Sequence, residues 1–247
     1  MALPWKTAWI TGAGTGIGLH IARQLADTGV RVTLSSRSAQ KLADAVKGNP
    51  NMVALPLDVT DAEAVAAAAM AVGPQDLVIF GAGTYAPVAA SAIDPKLFRS
   101  IVDVNYMGVV NGIAAVLPGM LARHSGHVAW IASVAGYRGL PKAAAYGPTK
   151  AALINLAESL KPELERAGVK LSLINPGFVE TPMTAQNDFV MPFLMQPDAA
   201  ARRVIAGLAA GKFEIAFPRR FVAILKIARL LPYSLYFWLI HKTVLKD

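Results

Sequence analysis

Short apolar stretches alternate along this chain with longer stretches in which apolar residues return every three or four positions. Continuous apolar runs bounded by glycine or polar turns read as strands buried on both faces. On that pattern strands are expected at Thr7–Thr11, Arg31–Ser35, Met52–Leu57, Asp76–Phe80, His127–Ala132, Lys170–Ile174 and Glu214–Phe217. The helical period predicts helices near Ile17–Thr28, Ala39–Lys47, Asp61–Val72, Pro95–Arg123, Tyr146–Arg166 and Pro197–Ala210. Strands alternating with helices imply right-handed βαβ units, hence a parallel sheet covered on both faces. The fold class expected is α/β, doubly wound. No linker, repeat or low-complexity spacer interrupts it. The alanine-rich "AVAAAAMAV" (Ala64 to Val72) reads as an ordinary packed helix.

Composition supports a large core. Hydrophobic residues make up 54% of the 247 and charged residues 16%, which argues against disorder. The absence of cysteine rules out disulfides and thiolate metal sites. Of the histidines His20, His124, His127 and His241, only His124 and His127 are neighbours. No carboxylate stands near them at ligand spacing, so a structural or solvated role is expected rather than a metal site. Met1 to Trp5 has no basic segment of the kind that opens a signal peptide. No stretch of about 18 uninterrupted apolar residues occurs, so no spanning helix is expected. A cytoplasmic location follows as the expectation. The formal charge of +8 is unevenly spread. Residues 1–201 hold 15 basic and 14 acidic groups; residues 202–247 hold 9 and 2. The excess belongs to the tail, which argues against nucleic acid as a partner of the main domain.

Two segments carry candidate chemistry. "WITGAGTGIG" (Trp9 to Gly18) is a strand, a glycine-rich turn and a helix start. The spacing is T-G-x-x-x-G-x-G, with Gly12, Gly16 and Gly18, and not the common G-x-G-x-x-G. Glycine lets backbone approach a pyrophosphate, and the helix N-terminus offers N–H groups and a positive dipole end. At the end of the second strand, where NAD sites carry an acid for the ribose 2′-hydroxyl, stand Ser36 and Arg37. A hydroxyl and a guanidinium suit a 2′-phosphate, so NADP is expected ahead of NAD. The second segment is "AYGPTKAAL" (Ala145 to Leu153). Tyr146 and Lys150 fall on one helical face, near the helix mouth because Pro148 belongs in a first turn. An adjacent ammonium is expected to lower the phenol pKa. Ser133, just past the end of its strand, is placed to bind a substrate carbonyl.

These segments together resemble the classical short-chain dehydrogenase/reductase family, from Lys6 to about Pro218. The resemblance implies a single Rossmann domain with a seven-stranded sheet, usually a homodimer or homotetramer. It implies a catalytic tetrad of Asn105, Ser133, Tyr146 and Lys150, with Asn105 holding a water that links Lys150 to solvent. Cofactor contacts are implied at Gly12, Thr15, Gly16, Ile17, Gly18, Ser36, Arg37, Asp58, Val59, Gly81, Ala82 and Gly83. Further contacts are implied at Tyr146, Lys150, Pro176, Gly177, Val179 and Thr181. The reaction implied is hydride transfer between a nicotinamide and a carbonyl or secondary alcohol, with Tyr146 moving the proton, Ser133 orienting the oxygen and Lys150 binding ribose hydroxyls. Two departures stand out. Phe80-Gly81-Ala82-Gly83 replaces the family's Asn-Asn-Ala-Gly, and Thr15 replaces a basic residue common in NADP-preferring members. The second leaves Arg37 with most of the phosphate recognition.

The expected division is residues 1–217 as the dehydrogenase domain and 218–247 as a C-terminal helical extension. Within the domain, residues 178–210 form a substrate-covering loop and helix. Phe178, Met183, Phe189, Val190, Met191, Phe193, Leu194 and Met195 make that loop greasy, which suits a lipophilic ketone or alcohol. In the extension, Phe221, Ile224, Leu225, Ala228 and Leu231 form an apolar stripe, with Lys226 and Arg229 between them. Peripheral membrane contact through residues 219–247, cover for the pocket, and subunit assembly are all compatible with that pattern. Two alternatives to an enzyme share the fold: a non-catalytic dinucleotide sensor and a membrane-surface scaffold.

Overall fold

Apolar residues of each strand point alternately to two sides, and each side is closed by its own helices. In the computed structural model, which describes residues 3–243, seven strands form one parallel sheet. They are β1 (Thr7–Thr11), β2 (Arg31–Ser36), β3 (Met52–Pro56), β4 (Leu77–Phe80), β5 (His127–Ile131), β6 (Lys170–Pro176) and β7 (Glu214–Phe217). Their spatial order is β3-β2-β1-β4-β5-β6-β7. Met1, Ala2 and residues 244–247, the ends of the two expected units, lie outside the described residues.

The period of two is legible in β1. Ala8 and Ile10 face one core, Trp9 the other. The first core is closed by α1 (Gly16–Asp27), α2 (Ala39–Val46) and α7 (Pro197–Ala209), through Ile21, Leu25, Leu42 and Val204. The second is closed by α3 (Ala62–Val72), α5 (Gly108–Ala122) and α6 (Gly147–Arg166), through Val65, Ile113, Leu153 and Ala157. Trp9 and Trp130 are fully buried there, and their indole N–H groups donate to Ser35 Oγ and the Leu153 carbonyl, each at 2.9 Å. Gly112 on α5 has no room for a side chain: a Cβ would stand 2.2 Å from the Phe80 ring.

The expected helix Pro95–Arg123 is interrupted. It begins as α4 (Pro95–Val102), opens into a π-helical turn at Asp103–Met107, and resumes as α5. By length and composition this run is apolar enough to cross a membrane. Here it packs on the sheet, with Ile101, Val109, Ile113 and Met120 buried. After β7 the chain continues as α8 (Arg219–Leu230) and α9 (Tyr233–Thr243). Four residues of the expected stripe, Phe221, Leu225, Ala228 and Leu231, are half-buried, and Ile224 departs from it. Val222 is buried, with Phe221, Leu225 and Ala228 beside it, while Ile224 points outward and is 54% exposed. Residues 221–225 are apolar almost all round the helix, so the pattern alone does not set its rotation.

Candidate active site

The strand order reverses between β1 and β4, and the crevice beyond the carboxyl ends of such strands is where ligands bind in doubly wound sheets. Gly12 and Gly81 come together there. A Cβ on Gly12 would stand 2.4 Å from the Gly81 carbonyl group, and one on Gly18 would stand 2.7 Å from the Gly12 carbonyl oxygen. Gly12 and Gly16 also adopt positive φ, +69° and +58°, which side chains rarely tolerate. The turn therefore presents bare backbone at the start of α1. The Gly81 amide donates to the Thr11 carbonyl and Thr11 Oγ1 at 3.1 and 3.2 Å, while Phe80 fills the core.

A cleft of about 370 Å³ runs from this turn towards β6. Gly12, Thr15, Gly16, Ile17, Gly18, Ser36, Arg37, Asp58, Val59, Gly81, Ala82, Gly83, Ser133, Tyr146, Lys150, Pro176, Gly177, Val179 and Thr181 all line it. Gly14, Ser38 and Lys41 line it too, and sequence reasoning missed them as site residues. Lys41 sits in the first turn of α2, where Ser38 Oγ caps the helix by accepting from the Lys41 amide at 3.3 Å. Arg37 thus has a second cation nearby; the four-residue spacing Arg37–Lys41 across a Ser cap was the available signal. The Asp58 carboxylate accepts from the Thr60 amide at 3.0 Å and hydroxyl at 2.8 Å. These bonds, the amide's first, hold its pKa below the ordinary range.

The far end of the cleft brings together Ser133, Tyr146 and Lys150. Tyr146 caps α6 and Pro148 lies in its first turn, as the sequence implies. Lys150 is buried and its ammonium donates to the Ile131 carbonyl at 2.9 Å. That nitrogen is 5.4 Å from the Tyr146 ring centre. Ser133 Oγ lies between the Ala135 amide, from which it accepts at 3.1 Å, and the Pro176 carbonyl at 3.4 Å. The expected depression of the tyrosine pKa is reversed. Burial pushes Tyr146 up to about 12, the Ser133 hydrogen bond pulling the other way, and burial pulls Lys150 down to about 8. Lys150 is buried away from water, whereas Tyr146 is half-buried with one side on the cleft.

Asn105 does not line the cleft but stands behind it, fully buried in the π turn. Its Oδ1 accepts from the Thr84 amide at 2.7 Å; its Nδ2 donates to the Thr84 carbonyl and Thr149 Oγ1 at 2.9 and 3.1 Å. Both amide hydrogens are engaged within the protein. The side chain clamps the loop after β4 to the first turn of α6, a positioning task. π turns recur at functional sites, and this one puts the clamp one layer below Lys150.

A loop roofs Tyr146. Tyr85 packs edge-on to the Tyr146 ring at 5.3 Å and donates to Asn187 Oδ1 at 3.0 Å. Lys142 pairs with Asp188 at 2.8 Å. Of the greasy residues expected to wall the pocket, Met183 does so, whereas Phe189, Val190, Phe193 and Leu194 are exposed. Phe178 stacks on Phe221 of α8 at 5.6 Å, and Met195 packs on the α1–α7 core. Among the described residues no cluster of three or more potential metal ligands occurs.

Residues 6–189 match the model of the short chain dehydrogenase family. The chain belongs to the short-chain dehydrogenase/reductase family. It is 36% identical over 242 residues to an uncharacterised oxidoreductase of Myxococcus xanthus, covering 95% of this chain and 96% of that protein. A short-chain dehydrogenase of Burkholderia cenocepacia, crystallised with NADP, superposes with a TM-score of 0.85 at 26% identity, over 100% of both chains. A family member from Burkholderia phymatum, crystallised with NAD, gives 0.84 at 25%, over 92% of this chain and 94% of the other. Family membership and these neighbours make the chain an NAD(P)-dependent oxidoreductase. The bare glycine backbone and the cleft beside it fit such a dinucleotide.

Proposed function

We propose that the chain is an NADP-preferring reductase of lipophilic carbonyl compounds, the reverse oxidation of the alcohol using the same groups. The observation that carries this reading is the convergence of Ser133, Tyr146 and Lys150 at one end of a cleft whose other end is the glycine turn with Arg37 and Lys41. When bound, the nicotinamide dinucleotide supplies or accepts the hydride. The chain supplies position, field and a proton. A phenol with a pKa near 12 is protonated at neutral pH, which suits Tyr146 as donor to a developing alkoxide. Ser133 orients the oxygen by a hydrogen bond. Lys150 holds a positive charge beneath the ring, where burial from water strengthens its field, and binds ribose hydroxyls. Asn105 keeps the Thr84 loop and α6 in register.

Arg37 and Lys41, with no carboxylate at the end of β2, support the 2′-phosphate; Asp58 is engaged by Thr60. Met183, with Ile17, Leu57, Val59 and Ile131 along the same cleft, supports a lipophilic substrate. The assembly proposed is a homodimer or homotetramer, which light scattering on the purified chain measures. The reaction is tested by titrating NADPH and NADH, then following reduced-cofactor consumption with a panel of hydrophobic ketones. NADPH is expected to bind more tightly, and turnover to appear with at least one lipophilic ketone. Tight binding with no turnover across a broad panel would instead support a dinucleotide sensor.

A further inference from the structure

The outer face of the C-terminal helices is apolar and uncovered. Ile227 and Leu230 of α8 are 62% and 84% exposed, and Trp238 of α9 is 51% exposed. The roof loop meets α8 from its inner side, Phe193 packing on Phe221 with ring centres 5.9 Å apart. At the tip of that loop, Val190 is 93% exposed. Large apolar side chains exposed together on two successive helices and a loop tip point to a docking site.

Charge selects the occupant. Residues 219–243 hold Arg219, Arg220, Lys226, Arg229 and Lys242 and no carboxylate at all. Lys226 is paired with Glu214; among the described residues the other four make no salt bridge. A second copy of the chain seated symmetrically on this face would bring like charges together with nothing to neutralise them. An anionic lipid surface accepts both features at once, taking the aliphatic and aromatic groups at its interface and pairing the cations with its headgroups. The lysine ammonium of Lys242 already lies over the Trp238 ring at 4.5 Å, an arrangement suited to the headgroup level.

The pair of helices is also fixed to the catalytic segment. Arg138, between Ser133 and Tyr146 in sequence, donates to the last carbonyls of α8, those of Ala228 and Leu231 at 2.6 and 2.8 Å. Its guanidinium lies 4.0 Å over the Tyr236 ring of α9. Tyr236 in turn donates to the Gly139 carbonyl. The patch therefore has a defined place relative to the cleft. We propose that α8, α9 and the roof-loop tip form a docking surface for an anionic lipid bilayer, so that the mouth of the cleft opens towards lipid. Delivery of a lipid-soluble substrate rests on the function proposed above; the docking surface itself does not, because vesicle binding needs no turnover.

The test is flotation of the full chain with vesicles of equal phosphatidylcholine and phosphatidylglycerol, against vesicles of phosphatidylcholine alone. Binding to the mixed vesicles is expected, falling about tenfold or more when salt is raised past the point where the Debye length is roughly 3 Å. Leu230→Asp/Trp238→Asp should lose at least about tenfold in partitioning while NADPH affinity and circular dichroism stay at wild-type values, both side chains being at the surface. Arg219→Ala/Arg220→Ala should lose about fivefold per charge. No flotation by the wild type, or a double aspartate variant that floats equally well, overturns the proposal. So does an aspartate variant that loses its oligomeric state, which would assign the face to subunit contact.

Discussion

Tyr146 and Lys150 show what residue types and spacing leave undetermined. Their placement on one turn of one helix follows from the i,i+4 spacing and from Pro148 in the first turn. Their protonation does not, because the deciding quantity is burial, and burial belongs to the assembled fold. Lys150 is 3% exposed, and its pKa falls to about 8 with desolvation as the cause. For the free enzyme, kcat/KM in the reductive direction is therefore expected to decline above about pH 8, as Lys150 loses the charge beneath the ring. A profile of kcat/KM against pH on any substrate that turns over reads this directly. A level profile to about pH 10, the ordinary lysine range, would show that the lysine keeps its charge despite burial.

Elements position these residues, and some of their devices were legible while others were not. The T-G-x-x-x-G-x-G turn is read from sequence because only glycine fits its positive φ values and close approaches. The π turn at Asp103–Met107 left no such mark: Asn105 and its neighbours suit an ordinary helix surface, and the clamp on Thr84 and Thr149 exists only once β4 and α6 are in place. That Val222 and not Ile224 is the buried member of α8 was hidden for a related reason, since either face of residues 221–225 is apolar enough to be buried. The turn from β2 into α2 lies between these cases. Arg37 stood out, while Lys41 needed the helix start to bring it to the same wall. If both cations act on one 2′-phosphate, as proposed, Arg37→Ala and Lys41→Ala should each weaken NADPH about tenfold or more and NADH little, in line with loss of a charge-assisted hydrogen bond. Fluorescence titration of the two cofactors separates this from adenine stacking, which would weaken both equally.

At the scale of the whole molecule, the two ends of the sheet have different tasks. The carboxyl ends build the cleft, and the amino ends carry stability. His127 at the start of β5 is buried against Trp5, ring centres 5.8 Å apart, and its Nε2 meets Ser172 Oγ at 2.9 Å. The Ser172 hydroxyl donates to the Lys212 carbonyl at 2.6 Å, so Nε2 carries the proton and Nδ1 has no partner. Burial first, and Lys170 second, pull its pKa from 6.5 down to about 4. The unfolded chain takes up a proton that the fold refuses, so this stability is complete above pH 6.5 and disappears as pH falls to about 4. The loss is on the order of 3 kcal/mol. Urea midpoints between pH 7 and pH 4 should fall accordingly in the wild type and less steeply in His127→Gln; equal slopes would place the acid sensitivity elsewhere. Along the carboxyl ends one cleft joins the glycine turn to Ser133, Tyr146 and Lys150. The proposed role of Tyr146 as proton donor is the central claim, and Tyr146→Phe tests it most directly. On the best ketone found, the substitution should cut turnover about 10²–10⁴-fold, with NADPH affinity and thermal stability near wild type. Turnover retained at the wild-type rate would contradict the account.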